Sequence, residues 1–161
     1  MRIFITSSFL TILLSVSSSS FAQKNDLEKI TKEEVLEVFD EFQNGYIKRD
    51  SLLIDDFMEL FTEDIVCIGT GPKEFITGNE GVRKLTLMDW KRWYDFRIPI
   101  DEIVIRVEQN VAWFALVGTS GPWRDNKTYE IRFVGSLIKN KGVVRFKQIC
   151  YSYPAPLKVV E

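Results

Sequence analysis

The sequence predicts an α+β fold in which helices cover one face of a mostly antiparallel sheet. Two amphipathic helical patterns stand near the start of the 161-residue chain, and four long β-rich runs fill its second half. A short hairpin and a third helix lie between them. A run of helices followed by a run of strands is typical of α+β domains, whereas α/β domains alternate the two.

The first 22 residues have the composition of a secretory signal peptide. Arg2 supplies a positive charge, an apolar run covers residues 3–16, and Ser20 and Ala22 fit a cleavage site before Gln23. The run is shorter than the roughly 20 residues of a membrane-spanning helix, and the alternative is an uncleaved anchor. We expect residues 23–161 to form one secreted or periplasmic domain with no membrane span after cleavage.

The first two helices are predicted from their caps and apolar spacing. Thr31 and Glu34 form a capping box, and Asp50 or Ser51 caps the second helix. The apolar face of the first helix consists of Val35, Phe39, Phe42 and Tyr46. The matching face of the second helix consists of Leu53, Phe57, Leu60 and Phe61. Both sets follow the 3.6-residue period of a helix that packs on a neighbouring layer.

The glycine-rich stretch IGTGPKEFITG, residues 68–78, is predicted to be a β-hairpin. Strands are expected over residues 64–69 and 74–78, joined by a turn at Gly69, Gly71 and Pro72. A phosphate-binding loop is excluded because a β-pattern follows the glycines where such a loop needs a helix. A catalytic turn is the remaining alternative, although turn chemistry alone accounts for these residues.

Asn79 is expected to cap a third helix over residues 80–93, which carries Val82, Leu85 and Trp93 among its apolar positions. Four β-rich runs then cover residues 97–110, 111–123, 128–140 and 143–154, with turn signals between them. Together with the hairpin, they predict a six-stranded sheet.

Two stretches carry a resemblance to a known family. Residues 60–78 (LFTEDIVCIGTGPKEFITG) and 143–152 (VVRFKQICYS) resemble the SnoaL-like branch of the nuclear transport factor 2-like superfamily, the cystatin-like cone. The resemblance extends over roughly residues 28–155. It implies three helices on a curved sheet, and this fold hosts enzymes, binding modules and assembly domains alike. In the second motif Val144 and Cys150 replace a Trp and a His, while Arg145 and Ser152 remain.

The absence of histidine removes several mechanisms. Ser-His-Asp and Cys-His nucleophiles and His-rich zinc sites are excluded, and two cysteines alone make a poor metal site. A general base must be an Asp or Glu whose pKa is raised by burial, or an unusual Lys or Tyr. The resemblance to ketosteroid isomerases puts their base at Ile68 or Gly69 and their tyrosine near Phe42, so that chemistry does not carry over. We expect no cofactor and no metal, and a net charge of −2 argues against nucleic acid.

A ligand-binding set follows from the resemblance, which turns one face of the last strand toward the inside of the cone. The expected set is Trp113, Arg132, Phe146, Gln148, Cys150 and Ser152. For the aromatic members, core packing is the competing interpretation. Arg132 reaches the rim, meets a carboxylate such as Asp64, Asp89 or Asp101, or receives an anionic ligand.

The sequence favours non-catalytic binding of a small hydrophobic ligand in the cone, or a dimeric association module. The alternative is an isomerase, cyclase or dehydratase that acts on a small hydrophobic carbonyl compound with a carboxylate base. A homodimer through the outer sheet face is expected because the strands carry apolar residues at both parities. The family topology implies that Cys67 and Cys150 lie on neighbouring strands, as a disulfide or as two thiols.

Overall fold

A computed structural model describes residues 28–92, 96–121 and 126–154 and the backbone of residues 159–160. The predicted signal peptide, together with Trp93, lies outside these residues. In the part that is described, no helix is both long and apolar enough to cross a bilayer.

The helices confirm the predicted caps and correct one boundary. Helix α1 (Lys32–Lys48) begins at the capping box of Thr31 and Glu34. Asp50 caps a 3-10 turn (Ser51–Leu53), which leads into the short helix α2 (Ile54–Met58). Leu53 is exposed, and Phe61 already belongs to the first strand rather than to the helix. Helix α3 covers Asn79–Arg92, so Asn79 is its first helical residue rather than the predicted cap, and its side-chain amide donates to the Met58 carbonyl.

The strands form one mixed sheet. Its elements are β1 (Phe61–Ile68), β2 (Phe75–Thr77), β3 (Phe96–Arg97), β4 (Val104–Glu108), β5 (Val111–Ser120), β6 (Thr128–Asn140), β7 (Val143–Ser152) and β8 (Val159–Val160). The order β2-β1-β7-β6-β5-β3 contains six strands, β4 also pairs with β5, and β8 pairs with β6. The pair β1 and β7 is parallel, and the others are antiparallel. The predicted α+β cone is therefore confirmed, with two short strands more than expected among the described residues.

A β-bulge at Lys147 reverses the expected inward face of β7. Leu137 of β6 pairs with Phe146, whereas the preceding Ser136 pairs with Gln148. Lys147 is the extra residue, and it moves every later side chain to the opposite face. Phe146 is buried as expected, but Ile149 and Tyr151 then point inward. The prediction that Gln148, Cys150 and Ser152 share the inward face of Phe146 is therefore wrong.

Aromatic side chains fill most of the space between the helices and the sheet. The rings with close aromatic contacts in this core include Phe39, Phe42, Phe57, Phe61, Phe96, Phe114, Phe133 and Phe146. Phe42 alone contacts six other rings at centroid distances of 4.9 to 6.3 Å. Most of these pairs are edge-to-face or tilted, the geometries that aromatic quadrupoles favour. The cone is thus largely occupied by its own core.

Candidate functional site

A cavity of about 180 Å³ lies between the hairpin turn, helix α3 and strand β7. Its lining consists of Gly69, Thr70, Glu74, Leu85, Asp89, Arg92 and Tyr151. Two carboxylates, one guanidinium and one phenol thus converge on a small space, and converging polar groups in an otherwise packed fold are the usual mark of a ligand site.

Helix α3 places Asp89 on its buried face. Val82, Leu85 and Thr86 precede Asp89 at i−7, i−4 and i−3, so the four side chains share one side of the helix. The Asp89 residue is only 8% exposed. A carboxylate in such a position costs free energy unless it is paired, protonated or functional.

Two buried tyrosines connect to Asp89. The Tyr46 hydroxyl on α1 donates to Asp89 Oδ2 over 3.4 Å. Because that bond uses the only proton of Tyr46, its oxygen is left to accept the hydrogen bond that joins it to the hydroxyl of Tyr151. Tyr151 in turn stacks on Phe133 at a centroid distance of 4.7 Å, which fixes its ring. The result is a hydrogen-bonded chain from Tyr151 through Tyr46 to Asp89.

Burial sets the protonation of this cluster. Burial, followed by the nearby charge of Glu74, raises the pKa of Asp89 from 3.8 to about 7. Burial, followed by the charge of Asp89, also raises the pKa of the Cys67 thiol to about 12. The pKa values of Tyr46 and Tyr151 are raised well above the usual 10, chiefly by burial. Asp89 is therefore the group of this cluster that changes charge near neutral pH.

A larger groove, of about 640 Å³, lies at the other end of β1 and has a different character. Its basic side chains are already engaged, because Arg145 pairs with Glu59 at 3.2 Å and Lys147 pairs with Asp64. The hydrogen bond from Lys147 lowers the pKa of Asp64, so this carboxylate is ionised at neutral pH and paired with Lys147. The described residues contain no group of three or more side chains arranged to hold a metal ion. The small Asp89 cavity is the stronger candidate site.

The predicted ligand-binding residues do not line this cavity. Gln148 and Ser152 are exposed on the outer sheet face with Trp113 and Arg132, Cys150 is half-buried there, and Phe146 is buried in the core. The structure does bring several of them together, since Ser136 lies between Trp113 and Gln148, and Arg132 pairs with Ser152. Arg132 lies exposed on the outer sheet face rather than at the rim of the cone.

The two cysteines are free thiols. Strands β1 and β7 are neighbours, as the family topology implies, with Cys67 opposite Ile149 and Ile68 opposite Cys150. Cys67 is buried on the inner face and Cys150 shares the outer face with Ile68, so the two thiols point to opposite sides of the sheet.

Sequence reasoning missed Asp89, Tyr46 and Glu74 as a site. The expected tyrosine position, Phe42, is a core residue, and Tyr46 one turn later supplies the hydroxyl instead. The available signal was an acidic residue at helical spacing from Val82 and Leu85, on the apolar face of α3.

Comparison with known proteins gives the context for this geometry. A family model described as the SnoaL-like domain matches residues 35–156. A nuclear transport factor 2-like protein of unknown function from Pseudomonas putida KT2440 is similar in structure, with a TM-score of 0.65 and 13% identity over 80% of this chain and 92% of that chain. No curated protein sequence matches.

Two further solved structures bear names of enzymes. A hexachlorocyclohexane dehydrochlorinase from Novosphingobium barchaimii LL02 gives a TM-score of 0.62 at 14% identity, over 80% of this chain and 88% of that chain. A protein proposed to be a ketosteroid isomerase, from Parabacteroides distasonis ATCC 8503, gives a TM-score of 0.59 at 19% identity, over 81% and 97%. At such identities these likenesses establish the fold alone.

Proposed function

This chain belongs to the SnoaL-like domain family, and on that premise we propose that its Asp89 cavity is the active site of an isomerase or dehydratase that uses a carboxylate as acid and base. The single observation that carries the proposal is the buried Asp89 beside a cavity, with a pKa raised to about 7. A group whose pKa is close to the working pH is populated in both proton-accepting and proton-donating forms. Strongly shifted carboxylates concentrate at functional sites.

The proposed chemistry needs only groups that this chain supplies. Ionised Asp89 removes a proton from a carbon next to a substrate carbonyl, and the C–H electron pair becomes an enolate. In a β,γ-unsaturated carbonyl compound, protonated Asp89 then returns the proton to the γ-carbon as the double bond moves to the α,β position, which is isomerisation. In a β-hydroxy carbonyl compound, it instead protonates the hydroxyl, whose C–O bond breaks as the α,β double bond forms and water leaves, which is dehydration. Arg92 lines the cavity and offsets the developing negative charge, while Tyr46 holds the Asp89 carboxylate in place.

The cavity limits the substrate to a small molecule. A volume of about 180 Å³ equals that of about six water molecules in the liquid. Pockets for drug-sized ligands begin at about 300 Å³. A monocyclic or short acyclic carbonyl compound therefore matches the space better than a steroid does. The names of the similar structures, a dehydrochlorinase and a proposed isomerase, support eliminations and isomerisations as the reaction classes to test.

The test is proton exchange, which does not require the natural substrate. Small ketones and hydroxyketones are incubated with the protein in D2O, and the loss of α-proton signals is followed by NMR. We expect acceleration of at least one compound, and Asp89→Asn should reduce it by about 100-fold or more. The control is Asp101→Asn, which changes an exposed aspartate outside the cavity. Absence of exchange throughout the panel, or equal exchange in Asp89→Asn, would overturn the proposal and leave the non-catalytic binding alternative.

We also propose that the protein forms a homodimer through the outer sheet face. One cross-strand row on this face is apolar from edge to edge. The pairing register joins its members in the order Val104, Ala115, Val134, Cys150, Ile68 and Phe75. Phe75 is 70% exposed and Trp113, in the next row, is 47% exposed. At about 4.8 Å between strands the row is roughly 24 Å long, and a soluble monomer rarely leaves such a strip in water.

A second copy fits this strip because a two-fold axis through the middle of the row lays it against itself. Substitution Val134→Glu puts a charge at the centre of the row and should convert the dimer to a monomer in analytical ultracentrifugation. Val143→Glu is the matched control, since Val143 is an equally exposed valine outside the row. A monomeric native protein at micromolar concentration would refute the dimer.

A further inference from the structure

The hairpin turn at the cavity is built around the side chain of Glu74. The Gly71 N–H donates to Glu74 Oε2 at 2.8 Å. Two backbone bonds close the same turn, from Gly69 N–H to the Glu74 carbonyl at 2.7 Å and from Glu74 N–H to the Gly71 carbonyl at 3.1 Å. Glu74 therefore takes part in each of these three hydrogen bonds, through its carboxylate, its backbone carbonyl and its backbone N–H.

The two glycines of the turn leave the space that this carboxylate occupies. A Cβ on Gly69 would lie 2.7 Å from Glu74 Cβ and closer still to its carboxylate, and a Cβ on Gly71 would lie 2.9 Å from Glu74 Cδ. Side-chain atoms do not approach each other so closely. Neither glycine has a positive φ, so the requirement at these positions is steric. Any larger residue at either position displaces Glu74.

Glu74 and Asp89 line the same cavity from two elements, the turn and helix α3. The titratable and charged groups that interact with Asp89, by a hydrogen bond or through their charge, come from every element around it. They are Tyr46 on α1, Cys67 on β1, Glu74 on the turn, Arg92 on α3, Tyr151 on β7 and Tyr153 just beyond β7. Glu74 is the only acidic side chain among the groups that act on Asp89 in the described part of the chain.

We propose that Glu74, held in place by Gly69 and Gly71, is a positioning residue whose negative charge keeps the proton on Asp89. The functional meaning of this inference rests on the proposed acid-base role of Asp89. The electrostatic effect of Glu74 on Asp89 does not depend on catalysis. Two carboxylates at one small cavity repel each other when both are ionised, so a charge on one favours the protonated form of the other. Glu74 lies at the partly exposed turn, where the Gly71 N–H donates to its carboxylate, whereas Asp89 is buried on the inner face of α3.

The experiment follows the Asp89 carboxyl carbon by NMR in protein labelled with 13C-aspartate, between pH 4 and 9. Asp89→Asn identifies its signal. Glu74→Gln removes the charge and keeps an amide oxygen that can accept from the Gly71 N–H. We expect the Asp89 midpoint to fall by about one pH unit, the low end of the shifts that a neighbouring charge produces.

Two further variants separate charge from structure. Gly69→Ala keeps the charge but displaces the carboxylate, and we expect a downward shift of the same midpoint together with a changed Gly71 amide resonance. Glu63→Gln removes an exposed charge at the other end of β1 and should leave the midpoint unchanged. If Glu74 is only a brace of the turn, Glu74→Gln lowers the melting temperature without moving the midpoint, and that result overturns the inference.

Together with the exchange assay, the titration tests the role of Glu74 separately from the proposed enzyme activity. A midpoint that moves in Glu74→Gln, in a protein that exchanges no α-protons, supports the coupling of the two carboxylates and refutes the enzyme. A fixed midpoint in a protein that does exchange α-protons refutes the role of Glu74 alone.

Discussion

Substituting Asp89 by Asn should make the protein more stable than the native protein at neutral pH. This gain in stability should become smaller as the pH falls. Burial in the native state raises the pKa of Asp89 from 3.8 to about 7, which corresponds to about 4 kcal/mol. The asparagine keeps an oxygen for the Tyr46 hydroxyl. The substitution therefore removes the cost of charging a buried carboxyl and retains its hydrogen bond.

The sign follows from proton binding. Below pH 3.8 both the folded and the unfolded chain hold the Asp89 proton, so the shift contributes no pH dependence there. Between 3.8 and about 7 only the folded chain holds it, so the folded state binds more protons and stability falls as pH rises. Above about 7 the carboxyl is ionised in both states and the full cost is present. The amide of the Asp89→Asn variant does not titrate and has no such dependence.

Urea denaturation at a series of pH values from 4.5 to 8.5 measures the difference. Subtracting the native free energy of unfolding from that of Asp89→Asn cancels the other titrating groups. We expect the difference to grow with pH in favour of the variant, to about 4 kcal/mol at pH 8. The control Asp101→Asn should show a flat difference. A difference below about 1 kcal/mol across the whole range would mean that Asp89 titrates like an exposed carboxyl and would refute the reasoning.

Three other predictions test the fold and the export of the chain. Phe42→Ala, which empties the centre of the ring cluster, should cost about 3 to 5 kcal/mol in chemical denaturation, and a loss below about 1 kcal/mol would contradict the packing. Thr31→Ala removes the cap of α1 and should cost about 1 kcal/mol, while Thr31→Ser should restore most of it. Protein expressed with its full sequence should have an intact mass that begins at Gln23, and a mass that includes residues 1–22 would refute cleavage.

Local sequence signals predicted the helical part of the fold well because their physics is local. The capping box of Thr31 and Glu34 and the cap at Asp50 involve residues two or three apart, and both form as expected. The hairpin of residues 68–78 likewise follows from turn chemistry. Phe61 shows the limit, because its spacing suits the end of a helix, yet pairing with Phe146 draws it into the sheet. Pairing partners distant in sequence decide such boundaries.

The inner face of β7 could not be predicted from alternation alone. Alternation is a reliable guide only while the register is unbroken, and one extra residue reverses it. The bulge at Lys147 satisfies two demands at once, since it keeps Phe146 inside the ring cluster and still turns Ile149 and Tyr151 inward. Without it, Gln148 and Ser152 would be buried and Ile149 exposed. The bulge explains why apolar residues occur at both odd and even positions of this strand, because the inward-facing positions change parity at Lys147.

The composition of helix α3 bears most directly on function. An amphipathic helix that only covers a sheet gains nothing from an acid on its apolar side, because burying the carboxyl costs about 4 kcal/mol at neutral pH, a large part of the stability of an average domain. Asp89 lies on this apolar side among Leu85 and Trp90, and polar groups of neighbouring elements surround its carboxyl. Tyr46 directs its hydroxyl at the carboxyl, and the glycines of the turn leave room for a second carboxylate nearby. An Asn at this position would keep an acceptor for the Tyr46 hydroxyl and would not carry the cost of a buried charge. The presence of a destabilising proton-binding group beside a cavity is therefore the main physical support for the proposed site.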